Sequence, residues 1–253
     1  MQINSIHNNF TPNFQSTCRR YKTKDGEEFG CYTTFFRDDL DWEKFAKYET
    51  EHFKDKDKVN VMMFASSDGS EAYSNIISLF EGPAAKKNEN DVKKFFPIQA
   101  YDIDEEIVKA AQSGYIVGSY SDIMETVSRS DDYREYFNIT DKVLNIKDDM
   151  SFMGAKALQA SKKLTDNVKF NLGDMFEKVK TIKDDSNTVV MCRNILGYFL
   201  DDKIEEFVQL TSKFLNKDSL FVIGDYDREF MDIDAVLQKF KFKKVLKNVY
   251  KKV

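Results

Sequence analysis

The sequence predicts an α/β fold of Rossmann-like type: a mostly parallel sheet, helices on both faces, and an antiparallel addition at the C-terminal edge. Three observations carry this. Short apolar runs alternate along the chain with amphipathic helical segments, the pattern of strand–helix–strand units. Two of those runs, VNVMMFA (Val59–Ala65) and TVVMC (Thr188–Cys192), are nearly continuous, as strands buried on both faces must be. The last two strand-like segments have no helix between them, so they pair antiparallel.

The elements follow in order. Val59–Ala65 is the first strand, and the next helix begins near Glu71 and runs through AYSNIISLF. EGPAAKKNENDVKKFF reads as a polar loop with a helical turn. Ile98–Ile103 (IQAYDI) is a strand, followed by a helix over DEEIVKAAQSG with Gly114 placed to cap it. From Tyr115 to Asp166 the pattern loosens. SDIMETV and GAKALQASKKL read there as short helices, which predicts a largely helical insertion at about 115–166. VKFNL (Val168–Leu172) alternates as a strand, and Thr188–Cys192 is a central one. The long amphipathic helix DDKIEEFVQLTSKFL, the strand SLFVIGDY, a helix over DIDAVLQKF and two short strands complete the chain. In the tail KFKFKKVLKNVYKKV lysines alternate with apolar residues, as in strands with one wet face, and lysines on an edge strand guard against aggregation. Residues 1–30 are expected to form an N-terminal arm and 31–253 a single domain.

Bulk composition narrows the class. With 253 residues and 42% hydrophobic content, the chain can bury a substantial core. A net charge of −5, with both signs well mixed, gives no drive toward nucleic acid. No apolar run approaches the length of a membrane span, and MQINSIHNNF lacks the features of a secretory signal. Three widely spaced cysteines read as reduced thiols, which predicts a cytoplasmic protein.

Open parallel sheets bind ligands beyond the carboxyl ends of their strands. Asp102 closes the second strand, where a carboxylate can take both hydroxyls of a ribose or can cap the following helix. Asp174 is placed to accept a hydrogen bond from an exocyclic amine such as that of adenine, or to be a solvated loop residue. Gly69 lies in a loop without a G-x-G-x-x-G fingerprint, and no phosphate loop occurs, so a nucleoside without phosphates fits better than NAD or ATP. His7 and His52 are the only histidines, neither at a strand end, and no Cys/His spacing matches zinc, so no metal is expected. Chemistry at such a site works by positioning, and methyl transfer from a sulfonium is a reaction of that kind.

Four motifs then add up to a resemblance. TTFFRD (Thr33–Asp38), ASSDGSEAYS (Ala65–Ser74), AYDIDEEIVKAAQSGYI and MCRNILGYF (Met191–Phe199) are similar, in the same order, to the signatures of the CheR-type chemotaxis receptor methyltransferases. GDYD (Gly224–Asp227) is a weaker fifth match. The resemblance implies a class I methyltransferase fold with a seven-stranded sheet. It also implies S-adenosylmethionine (SAM) as cofactor, S-adenosylhomocysteine as product, and a glutamate side chain of a protein as acceptor. Carried over position by position, it places Glu71 on the amino end of SAM and Asp102 on the ribose. Asp174 and Met175 fall around the adenine. Arg193 and Asn194 fall where the family has the methionine portion and structural hydrogen bonds. Thr33 and Arg37 come from a segment folded over the cofactor, and Ala65 and Ile103 complete the binding set. Arg37 would grip the SAM carboxylate or steer the acceptor's carboxylate, and Tyr198 would orient the accepting group, so these two are the catalytic candidates. An ionised acceptor needs no general base.

The chain also departs from the family pattern. Ser70 replaces a glutamate, Ala72 a proline, Asp174 an asparagine, and Cys31 stands where an asparagine is usual. The segment before TTFFRD is too short for the family's basic helical domain, and the insertion reads as helical where the family has a receptor-tethering β-subdomain. A small-molecule O- or N-methyltransferase and an inactive SAM-binding scaffold are therefore the alternative expectations.

Overall fold

The computed structural model describes residues 18–22, 28–118, 133–140, 156–183, 185–229 and 231–253. Strands β1 (Cys18–Lys22) and β2 (Glu28–Tyr32) pair antiparallel, partly within the stretch read as an arm. Helix α1 (Trp42–His52) follows and was not anticipated. Then come β3 (Asn60–Phe64), α2 (Ser70–Phe80), two short helices α3 (Pro83–Lys87) and α4 (Asn90–Lys93), β4 (Ile98–Asp102) and α5 (Glu105–Gln112). After β5 (Tyr115–Gly118), β6 (Phe137–Thr140), β7 (Lys156–Ala160) and α6 (Lys162–Thr165), the chain returns to β8 (Val168–Leu172) and α7 (Met175–Val179). It ends with β9 (Thr188–Met191), α8 (Asp201–Phe214), β10 (Leu220–Val222), α9 (Ile233–Lys239), β11 (Phe242–Leu246) and β12 (Val249–Lys252).

Seven strands form one sheet in the order β11-β12-β10-β9-β3-β4-β8. Every pairing from β8 to β10 is parallel. Strand β12 is the antiparallel one, and it enters between β10 and β11 rather than adding outside them. The edge is therefore β11, whose Lys243 and Lys244 are exposed. This is the predicted class I methyltransferase architecture.

Both faces of the sheet are covered, and alternation along each strand divides the core in two. Val61, Met63, Val189 and Met191 point into one cluster with α1 and α2. Met62, Phe64, Val190 and Cys192 point into the other, against Phe207 and Val208 of α8 and Leu237 of α9. Each such large apolar side chain contributes about 1.5–3 kcal/mol on burial. That two-sided burial is why these strands read as continuous apolar runs. No described helix is long and apolar enough to cross a membrane.

The insertion corrects the expectation of helix. Strands β5, β7 and β6 form a three-stranded antiparallel sheet in that order. KALQA, rich in helix formers, is the central strand, because pairing on both sides outweighs local propensity. SDIMETV lies outside the described residues. The one described α-helix there is the single turn α6.

Candidate functional site

Strand order reverses between β3 and β9, which places the site beyond their carboxyl ends. The loop after β3 turns sharply, with φ of 53°, 52° and 92° at Ala65, Ser67 and Gly69. A Cβ on Gly69 would stand 2.5 Å from the Phe170 ring, so glycine is required there for space as well as conformation. Buried Asp68 accepts from the Ser70 amide at 2.9 Å and from its hydroxyl at 2.7 Å, capping the start of α2. Ser70 therefore acts as a local structural partner.

Segment Thr33–Leu40 docks on the same helix start. The Phe36 amide donates to Ser74 Oγ (2.8 Å), and that hydroxyl donates to the Ser70 carbonyl (2.8 Å). Phe35 and Phe36 are buried, the first edge-on to Phe137 and the second to Trp42. Thr33 and Arg37 are half-buried on this segment. The Arg37 guanidinium makes no ion pair among the described residues, and its charge reaches Glu71.

Glu71 Oε2 pairs with Arg193 Nη1 at 3.0 Å. Burial pushes the Glu71 carboxyl above its ordinary range; Arg193 and Arg37 pull it back, while Asp39 adds to the rise. The Arg193 side chain is fully buried. Its Nη2 pairs with Asp39 Oδ1, and the guanidinium lies 4.8 Å from the centre of the Trp42 ring. Trp42 Nε1 in turn donates to the Arg37 carbonyl at 3.1 Å.

Asn194, at φ 58°, donates from Nδ2 to Asp39 Oδ2 (2.8 Å) and accepts from the Tyr226 amide (3.1 Å). A Cβ on Gly224 would fall 2.2 Å from Asn194 Oδ1, so this side chain occupies space only glycine leaves. Asp227 accepts from the amides of Asn194 (2.8 Å), Leu196 (2.8 Å) and Gly224 (2.7 Å), tying the turns after β9 and β10 together. Burial pushes its carboxyl up to about 6, against the lowering effect of these amides. Arg193 and Asn194 thus turn inward, to structural hydrogen bonds and ion pairs, and bear on the site through Glu71.

Asp102 accepts from the Ser67 amide (3.0 Å) and the Asp104 amide (3.2 Å), one on each oxygen, which leaves acceptor capacity on both. Burial raises its carboxyl too. Beside it Ile103 is 55% exposed and Leu172, its register neighbour across β8, is 52% exposed. A carboxylate flanked by exposed aliphatic groups suits adenosine, with ribose hydroxyls on Asp102 and the base on Ile103, Leu172 and the exposed Ala65. Asp174 caps α7 through Oδ1, accepting from Phe176 (2.8 Å) and Glu177 (3.3 Å), and Met175 is buried beneath it. Tyr198 is exposed, its ring 5.1 Å from that of Tyr226.

Four residues of this constellation carry no motif signal strong enough to find them: Asp39, Trp42, Leu172 and Asp227. Asp227 sits in the weak GDYD match, and the other three depend on contacts between distant segments. His52 is elsewhere, its Nε2 2.7 Å from the Asp218 carbonyl oxygen. Clefts lined by Phe80, Phe96 and Lys163 and by Gln112, Phe170 and Asn171 include none of Arg37, Glu71 or Asp102.

A family model described as CheR methyltransferase, SAM binding domain, matches residues 32–246. No curated protein sequence matches the chain. Among solved structures it is similar to magnesium protoporphyrin IX methyltransferase from Synechocystis PCC 6803 with bound SAM. That match has 10% identity over 83% of this chain and 76% of the other, with a TM-score of 0.39. An O-methyltransferase family protein from Burkholderia thailandensis matches at 10% identity over 83% and 55%, with a TM-score of 0.40. An arsenic(III) SAM methyltransferase from Chlamydomonas reinhardtii matches at 12% identity over 65% and 38%, with a TM-score of 0.35.

Proposed function

The chain belongs to the CheR methyltransferase family and is a SAM-dependent methyltransferase, and from that premise we propose that it methylates a carboxylate, the side chain of a glutamate in a partner protein. The observation that carries this reading is Arg37. It is a half-buried guanidinium whose charge reaches Glu71 and that makes no ion pair among the described residues. A guanidinium fork matches a carboxylate through two parallel hydrogen bonds. The antiparallel sheet β5-β7-β6 stands where the family's receptor-tethering subdomain is expected, which supports a protein acceptor.

Bound SAM would supply a methyl on a sulfonium, and an ionised carboxylate could take it in one displacement, C–S bond breaking as O–C bond forms, with no proton to move. The residues only have to hold and align. Glu71 would hold the α-ammonium, Asp102 the ribose hydroxyls, and Ile103 and Leu172 the base. Thr33 and Arg37 would lie over the cofactor, with Arg37 orienting the acceptor carboxylate and Tyr198 beside it. Alignment of this kind supplies up to about 7–11 kcal/mol.

Incubation with methyl-labelled SAM and candidate protein acceptors should yield base-labile methyl esters, with label lost when Arg37 is changed to alanine. Base-stable label overturns the carboxylate reading. Calorimetric titration with S-adenosylhomocysteine should show binding that Asp102→Ala abolishes. A second reading, a small-molecule O- or N-methyltransferase, is favoured by the aromatic pair Tyr198–Tyr226. Its signature is label in the non-protein fraction.

A further inference from the structure

Asp39 lies outside the motifs that mark the site, yet more of the site's turns meet at it than at any ligand-facing residue. Its Oδ1 pairs with Arg193, and its Oδ2 accepts from Asn194 Nδ2 (2.8 Å) and from the Asp225 amide (3.1 Å). Its carbonyl accepts from Asn248 Nδ2 at 2.8 Å. The turns after β9, after β10 and between β11 and β12 therefore all close on one carboxylate-bearing residue. That residue is 6% exposed.

The charges matter as much as the hydrogen bonds. Arg193 is fully buried between two carboxylates, Asp39 on one side and Glu71 on the other, with Trp42 over its face. Within this triad two carboxylates share one guanidinium, a formal net charge of −1, and the charge of Arg37 reaches Glu71 from outside it. Of the three, Glu71 keeps the most solvent access, with 15% of its side chain exposed against 7% for Asp39 and none for Arg193.

We propose that Asp39 is a positioning residue for cofactor binding: by occupying the inner side of Arg193, it leaves Glu71 with the negative charge that holds the α-ammonium of SAM. This rests on Glu71 being the ammonium site. Without Asp39, Arg193 would be matched by Glu71 alone, and the ammonium would meet a neutral pair.

The test compares two ligands by calorimetry on the full chain. S-adenosylhomocysteine carries the α-ammonium; 5′-methylthioadenosine shares the adenosine and sulfur but lacks the amino-acid end. Asp39→Asn should weaken S-adenosylhomocysteine about tenfold, as expected for one unit charge removed several ångströms away in a partly buried site. It should leave methylthioadenosine within about twofold. Asp39→Glu, which keeps the charge, should hold the ratio of the two affinities at the parental value. Asp39→Ser, too short to reach Arg193, gives the same readout as Asp39→Asn should that variant fold poorly. Equal loss for both ligands means a purely structural role and overturns the proposal, as does no loss for either. A parent protein that binds methylthioadenosine but gains nothing from the amino-acid end overturns the assignment of Glu71 instead, a result separable from either.

Discussion

Replacing Arg193 by methionine keeps an apolar stem against Trp42 and removes the cation that Asp39 and Glu71 share. Breaking a buried ion pair from one side costs about 3–5 kcal/mol, because the remaining charge loses its partner without regaining water. Two carboxylates are stripped here, but Glu71 retains 15% exposure, so the expected deficit at pH 7.5 is about 4 kcal/mol. For a domain of this size that is a fall of roughly 8–16 °C in Tm. The deficit must also depend on pH. Burial already holds the Glu71 carboxyl above its ordinary 4.5, and Arg193 is the strongest influence pulling it down. Without Arg193 the folded value rises further. A carboxyl raised in the folded state contributes its full stability below the unfolded value and loses it as pH climbs through the folded one. The difference between parent and Arg193→Met should thus be small at pH 5 and widen to its full size at pH 7.5, read from urea unfolding at both. An equal deficit at the two pH values, or one under about 1 kcal/mol at pH 7.5, would refute the shared-cation account.

Gly224→Ala forces the Asn194 side chain from its place and breaks its bonds to Asp39 and the Tyr226 amide; a loss of about 2–3 kcal/mol in urea unfolding is expected. Asp227, raised by burial from 3.8 to about 6, contributes stability below pH 4 that is lost as pH rises through 6. The parent should therefore lose about 3 kcal/mol between pH 4 and 7 relative to Asp227→Asn, and a difference independent of pH would count against it. Leu172→Ser, at a half-exposed position, should leave Tm within a few degrees and weaken S-adenosylhomocysteine binding about threefold, checked by calorimetry.

The central strand TVVM was legible because it is buried on both faces, and the edge strand Val168–Leu172 because its burial alternates. The helix Trp42–His52 was not, and the reason is Glu49. Its side chain takes a fully buried position on the inner face, where an apolar residue would have completed the helical period begun by Trp42, Phe45 and Ala46. KALQA misled in the opposite direction, since its alanines, leucine and glutamine favour helix while two partners distant in sequence make it a strand. In the site, Asp102 was legible as a candidate from its place at a strand end, whereas Glu71 emerged only through the family resemblance. Asp39 could not: its importance lies in turns up to 209 residues away, and no local pattern records such a meeting.

The chain contains one tryptophan, and it is Trp42, buried against the guanidinium of Arg193 with its indole N–H on the Arg37 carbonyl. Indole emission responds to nearby charge and to loss of burial. Intrinsic fluorescence of this protein is therefore a site-specific signal that needs no label. One optical trace can follow protonation of the ion cluster, release of the Thr33–Leu40 segment and the ligand binding proposed at Glu71, each with its own pH, denaturant or concentration dependence.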